Sequence, residues 1–350
     1  MDLFESVPRG TVSAMNPDEQ SGMRREAGGM RHKFLVRCAD AIFLSRPLLL
    51  IPVWGYCAFG YVAGSRWTAR SPFAVCWHAP LSVFGWMTIF SLSVAAIYVL
   101  NQIADCDVDA ANAGFPILAK GKIPIRLAWG TFVVLALSSV LISLVFRPIL
   151  AIFSCLALAV GFVYSAKPIQ LSGRPMWDFV ANATGFGIIA FGAGWHLSGA
   201  TLGARFLVAS MPYFFLMCAG SISSTLPDYE GDRKFGKNTT AVRIGVRPAH
   251  VIACVFIAAG LISALLARDW TAAACAGVAV PFYVAFLVLN SVRTMESTYK
   301  VGGMILMFAA AFLFPYLIPA SLLCLAGTVA YFRMRFHVWY PSLVPTSPER

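Results

Sequence analysis

The sequence predicts an all-α protein, a polytopic membrane helical bundle of about nine transmembrane helices. Three observations carry this expectation. Hydrophobic residues make up 59% of the 350 positions and charged residues only 12%, with a mean hydropathy of +0.72; soluble domains carry about a quarter charged residues. Apolar runs long enough to cross a hydrocarbon core about 30 Å thick recur along the chain. No segment shows the alternation of a membrane barrel, so helices are the form in which the backbone can satisfy its own hydrogen bonds in lipid. An ordinary soluble enzyme, a disordered chain and a coiled coil are all excluded.

Residues 1–39 are polar and basic, lack the apolar core of a signal peptide, and read as a cytoplasmic tail. A transmembrane domain is expected over 40–332 and a short C-terminal tail over 333–350. Spans are expected near 42–63, 81–101, 127–146, 149–165, 179–197, 206–225, 249–267, 271–290 and 302–331, the last long enough to break at Pro315 or Pro319. With the N-terminus placed in the cytoplasm, the inner segments hold 18 Lys and Arg and the outer ones 8, and Arg46 lies within the first span. That is the positive-inside pattern, and it supports an N-in, C-out topology. It also accounts for the net charge of +11 without nucleic acid, because the charge is spread over several loops. The nine cysteines, irregularly spaced and mostly inside apolar runs, read as small buried hydrophobes.

Acidic residues are scarce: nine between positions 41 and 348, six of them in two clusters. The first is Asn101-Gln-Ile-Ala-Asp105-Cys-Asp107-Val-Asp109, after the second span; the other is Asp228-Tyr-Glu230-Gly-Asp232, after the sixth. If the second span continues as a helix, Asn101, Asp105 and Asp109 share one face, four residues apart. Like charges at that spacing repel, so helix stability does not explain them, whereas a divalent cation would turn the repulsion into binding. Oxygen donors without neighbouring His or Cys suit Mg²⁺, which binds one or two carboxylates together with substrate phosphates. Solvated acids at helix ends are the bland alternative; two such clusters on one membrane face count against it. Lys120, Lys122 and Arg126 follow the first cluster, Arg233, Lys234, Lys237 and Arg243 follow the second, and Lys167 and Arg174 lie between spans 4 and 5. Positive-inside topology alone could put each base there. Together with the acids they suit a metal-bound diphosphate, and a diphosphate at the mouth of an apolar bundle implies an isoprenoid tail within it.

At these residues the sequence resembles the UbiA superfamily of intramembrane prenyltransferases. NQIADCDVD at 101–109 and DYEGD at 228–232 correspond to that family's two Asp motifs. Asn112 to Gly121, the run from Asp232 to Gly245, and Tyr164-Ser-Ala-Lys-Pro168 resemble the text that follows them. The resemblance spans about residues 40–330. It implies a nine-helix bundle in the cell inner membrane or its equivalent, with a cytoplasmic active site where Mg²⁺ joins the Asp motifs to a prenyl diphosphate. Asn101, Asp105 and Asp109 would hold one side of the metal site and Asp228 and Asp232 the other. Lys237 and Arg243 would contact the diphosphate, Tyr164 and Lys167 would face the site, and Arg46 resembles a basic position at the start of the first helix, with interfacial snorkelling as its bland alternative.

The chain departs from the family pattern at Gln102, where Asp is commoner, at Phe115, where Arg is common, and at Ser172, where Lys is common, a loss for which Arg174 is a candidate substitute. The expected activity is prenyl transfer to a lipophilic, most readily aromatic, acceptor. An intramembrane terpene cyclase with the same motifs and a cation-coupled transporter are the alternatives, the latter weakened because the acids cluster at one face and not at the midplane. Asp178 and Asn182, four apart at the start of span 5, fit either a helix N-terminus or acceptor binding. Trp195 and His196 read as interfacial anchors.

Overall fold

The computed structural model describes residues 33–68, 79–106, 118, 121 and 123–340, and the chain divides into residues 1–40 and 41–350. In the first unit residues 33–40 are helical. The second holds the bundle. After a 3₁₀ turn at Pro47–Leu49 come α1 (Leu50–Thr68), α2 (Leu81–Ala104), α3 (Ile125–Phe146) and α4 (Pro148–Ser165). A fifth rod consists of α5 (Trp177–Ala183), a π-helical segment (Thr184–Ala190) and α6 (Phe191–Leu197). Then follow α7 (Ala204–Thr225), the short α8 (Tyr229–Lys234) and α9 (Thr240–Ile244), α10 (Val246–Leu266), α11 (Trp270–Leu289), α12 (Val292–Leu313) and α13 (Leu317–Phe336). No strand occurs among the described residues.

Local chemistry sets the boundaries. Pro80, Pro124 and Pro148 stand at or just before the first turns of α2, α3 and α4, where a missing N–H costs nothing. Asp269 caps α11 by accepting from the amides of Thr271 and Ala272, each at 3.1 Å. Ser291 and Thr294 form a reciprocal cap on α12.

The expected ninth span is two helices. The run breaks between Leu313 and Leu317 around Pro315, which offers no amide hydrogen to continue α12. α13 then traverses the bundle on its own. Near its start the Tyr316 hydroxyl donates to the Ala79 carbonyl (3.1 Å), beside the beginning of α2. Near its end Tyr331 stacks on Phe43 (4.1 Å between ring centroids), just before α1. The C-terminal end of α13 therefore shares the face of the bundle that carries the start of α1 and the end of α2. The expectation of a C-terminus on the opposite face is corrected accordingly. Arg333 and Arg335 move to the basic face, raising its Lys and Arg from 18 to 20. Seven of the described helices are long and apolar enough to cross a membrane, α2, α3, α4, α7, α10, α11 and α13; α1, the α5–α6 rod and α12 complete ten long elements.

An aromatic core at the far end fixes the central helices. Tyr213 stacks on Phe59 (4.7 Å) and packs on Phe191 (5.1 Å), and its hydroxyl donates to buried Asp269 at 2.9 Å. Trp195 is buried in this cluster, its indole N–H donating to the Thr201 carbonyl at 3.1 Å. It is a core residue, not the expected interfacial anchor, because α6 is enclosed by α1, α4 and α7. α1 and α6 approach so closely that a Cβ on Gly60 would collide with the Phe191 carbonyl, and one on Gly194 with the Cys57 carbonyl. Gly194→Ala is expected to force the pair apart and destabilise the protein by about 2–3 kcal/mol, read as a lowered thermal unfolding midpoint in detergent.

Candidate active site

Three chain segments meet at the face where α2 ends. The first is the end of α2 itself. The helix stops at Ala104, and Asp105 is its C-cap. Asp109 lies outside the described residues, as do Phe115, Lys120 and Lys122. Asn101 Nδ2 donates to Asp105 Oδ2 at 3.0 Å, holding the carboxylate in one orientation. The second segment follows α7, where a 3₁₀ turn (Leu226–Asp228) and α8 carry Asp228 and Asp232 one helical turn apart. The third is the loop between α4 and α5, with Lys167, Gln170 and Arg174.

These segments enclose a cavity of about 1010 Å³ lined by Asp105, Asp228 and Asp232 on the acidic side and Lys167, Arg174 and Lys237 on the basic side. Lys237 Nζ is 3.9 Å from Asp232 Oδ1. Asp228 has no hydrogen bond or salt bridge with the described residues. Arg174 donates to the carbonyls of Ile169 (2.6 Å) and Pro168 (3.2 Å), stiffening its own loop. Gln170, with a left-handed φ of 40°, directs Nε2 at Asp105 Oδ1, 3.4 Å away. Strained backbone of this kind persists where the surroundings impose it. Arg243 is exposed on α9 and does not line this cavity, so its position gives no support to the expected diphosphate contact.

A buried clasp joins the second and third segments. Asp178 accepts from the Thr240 amide (2.7 Å), the Thr240 hydroxyl (2.6 Å) and the Phe179 amide (3.0 Å), and the Met176 amide donates to Thr240 Oγ1 at 2.7 Å. Asp178 is thus occupied by the protein itself. That decides between its two sequence readings in favour of a structural role, although its partner is 62 residues away and not the helix N-terminus alone.

Beneath the acidic cavity two further cavities run into the bundle. One, of about 470 Å³, is lined by Arg46, Asn101, Tyr164 and Asn182 among mostly apolar residues; the other, of about 440 Å³, lies among α1, α7, α11 and α12. They share Leu49, Tyr98, Asn182, Phe186 and Ser224, so the pair forms a fork. At the fork Asn182 Nδ2 donates to Tyr164 Oη (3.3 Å) and Ser221 Oγ (3.1 Å), and the π-helical segment contributes Gly185 and Phe186. Arg46, the residue before the 3₁₀ turn and at φ 53°, turns inward to the first limb and is not only an interfacial side chain. Gln102 points elsewhere. It is buried and donates to the carbonyls of Leu44 (2.6 Å) and Tyr98 (3.0 Å), so it ties α2 to the chain before α1 and offers nothing to the acidic cavity.

The model of the UbiA prenyltransferase family matches residues 53–300. The chain belongs to that family. A probable homogentisate phytyltransferase 2 from Oryza sativa is 28% identical over 209 residues, 57% of this chain and 55% of that protein. A digeranylgeranylglyceryl phosphate synthase from Saccharolobus solfataricus is 26% identical over 169 residues, 48% of this chain and 59% of that protein. The chain thus spans about half the length of the curated relatives it matches. A UbiA homolog from Archaeoglobus fulgidus, solved with GPP and Mg²⁺, superposes with a TM-score of 0.60 at 20% identity, covering 79% of this chain and 99% of that one. At that identity the likeness establishes the fold, and with the family and the apolar helices it makes this an integral membrane protein.

For a UbiA chain the donor set is the informative feature. The cavity lining contains carboxylate oxygens and no His or Cys. Among the described residues no three His, Cys, Asp or Glu side chains stand close enough to hold one metal ion. The acids come instead as one on the α2 side and two on the α8 side. That arrangement fits hard cations that take one or two carboxylates each and draw their other ligands from a diphosphate and water.

Proposed function

We propose that this protein is a Mg²⁺-dependent intramembrane prenyltransferase, moving an isoprenyl group from a prenyl diphosphate to a lipophilic, aromatic acceptor within residues 40–332. The observation that carries the proposal is the convergence of Asp105, Asp228 and Asp232 with Lys167, Arg174 and Lys237 on one polar cavity that stands over a forked apolar one. Asp105, Asp228 and Asp232, with Asn101 and Asp109 as further candidates, would hold Mg²⁺. The bound ion would neutralise the diphosphate and make it a good leaving group.

The protein's own groups then do the rest. Lys237, Lys167 and Arg174 take the diphosphate oxygens and stabilise the charge that develops as the C1–O bond breaks and its electron pair leaves with the diphosphate. The apolar walls keep water from the allylic cation. The limb carrying Arg46, Tyr164 and Asn182 suits an acceptor that combines a ring with hydroxyl or carboxyl groups; its ring carbon attacks C1, and loss of the proton from that carbon restores the ring. A relative named for homogentisate supports an aromatic acceptor. Two limbs support transfer over internal cyclisation, which needs no second substrate. The basic face, which holds the acids as well, is assigned to the cytoplasm.

Purified protein with Mg²⁺ is expected to release pyrophosphate from geranylgeranyl or farnesyl diphosphate in the presence of acceptor-containing membrane extract, and a chelator such as EDTA is expected to abolish release reversibly. Undiminished release in excess chelator would remove the metal from the reading. Equal release with and without acceptor would turn it toward cyclisation.

A further inference from the structure

The two limbs of the fork differ in chemistry. The first carries Arg46, Asn101 and Tyr164. The second has no charged residue, and away from the fork its walls are mostly apolar, with Leu216, Ile257, Leu306 and Met307 among them. Its mouth, at Ser224, lies one helical turn before Asp228, so the limb opens beneath the second acid pair. Two glycines in its walls leave room: a Cβ on Gly220 or Gly303 would meet nothing within 4 Å. Met307 lines the limb, and its thioether fills the notch left by Gly55 on α1, where a Cβ would stand 2.8 Å from Met307 Cε and 3.0 Å from Sδ. Met307 lies nine residues beyond Thr298 at the upper rim, about 13 Å along α12 at 1.5 Å per residue.

We propose that this limb takes the prenyl chain of the donor and that Met307, seated against Gly55, is the floor that sets the accepted chain length. The proposal rests on the prenyl-transfer reading above. An uncharged channel beneath a cavity that also carries Lys167, Arg174 and Lys237 fits a ligand with an anionic head and a long apolar tail. The charged partner for an acceptor's polar groups, Arg46, lies in the other limb. Methionine is an adaptable plug, unbranched and able to move aside. Selectivity at such a floor comes from apolar fit, where one methylene more or less changes kcat/KM by about tenfold or more.

Gly55 gives the test its discrimination, because it shapes the limb only through Met307. The kcat/KM values for geranyl, farnesyl and geranylgeranyl diphosphate would be measured as pyrophosphate release with membrane extract as the acceptor source. Met307→Ala deepens the limb and is expected to raise the ratio of the longer to the shorter substrate by about tenfold. Gly55→Ala pushes the thioether into the limb and is expected to lower the same ratio. The double variant is expected to follow Met307→Ala, since no thioether remains to be displaced; a general packing defect would not give that order. If Gly55→Ala fails to fold, Gly303→Val fills the open wall and should shorten the profile instead. A length profile unmoved in the folded variants, or single variants shifting it in the same direction, overturns the floor while leaving prenyl transfer standing. A wild-type protein that releases no pyrophosphate from any of the three overturns both.

Discussion

Asp105→Asn and Asp228→Asn are each expected to lower kcat for pyrophosphate release by about 10³-fold or more, with the protein still folded. The two substitutions act on opposite walls of one cavity. Asp105 comes from the end of α2 and Asp228 from the 3₁₀ turn after α7. Either change keeps the side-chain volume and removes one negative charge. Loss of a single preorganised electrostatic partner typically costs about 10²–10³ in rate, and a cation-dependent leaving group puts the loss at the upper end or beyond, because both the ion and the charge it neutralises are affected. Folding has little stake in either carboxylate. Among the described residues the Asp228 side chain has no hydrogen bond or salt bridge, and the Asp105 carboxylate accepts from the side chains of Asn101 and Gln170. Thermal midpoints near wild type with lost turnover would separate chemistry from stability. Near-normal turnover in either variant would remove that wall from the metal site.

The parts of this site that could be read in the sequence are those that depend on local spacing. Apolar run length located the helices, and Asp228 and Asp232, four apart, announced a shared face. Failures came wherever a partner is distant in sequence or where one backbone amide decides the outcome. The break expected at Pro315 or Pro319 falls at Pro315, but run length did not show that the resulting tenth helix turns its C-terminal end to the acidic face. Gln102, marked in the sequence only as a departure from the family pattern, has a role set by distance: its amide serves the carbonyl of Leu44, 58 residues earlier. Trp195 looks like an anchor at a membrane edge and is instead packed between helices that only the fold brings together. Gln170 carried no signal at all: its role follows from a left-handed backbone and a carboxylate 65 residues away. The π-helical segment at the fork is equally silent, since i→i+5 bonding has no composition of its own.

Asp178→Ala is the substitution expected to damage the site most without touching the substrate. Asp178 is 4% exposed and satisfies three donors. Its removal leaves the Thr240 amide and hydroxyl buried without their acceptor, and each such group costs about 1–3 kcal/mol. The loss falls on one joint. Thr240 begins α9, just after the segment that carries Asp232 and Lys237, and Asp178 begins the helix that follows Lys167 and Arg174. Met176, at φ 72°, is held in that unusual conformation partly by its amide bond to Thr240 Oγ1. Opening the clasp therefore frees both basic walls of the diphosphate cavity at once, while the fork below, anchored by Asn182 to Tyr164 and Ser221, keeps its own bonds. The expected signature is a destabilisation of about 3 kcal/mol or more, with a KM for the prenyl diphosphate that rises about tenfold and a KM for the acceptor that moves little. Asp178→Asn keeps one acceptor oxygen but turns an NH₂ group toward a donor, so it should fall between wild type and alanine on both measures. Equal rises in both KM values would show that the clasp supports the bundle as a whole and not the diphosphate walls in particular.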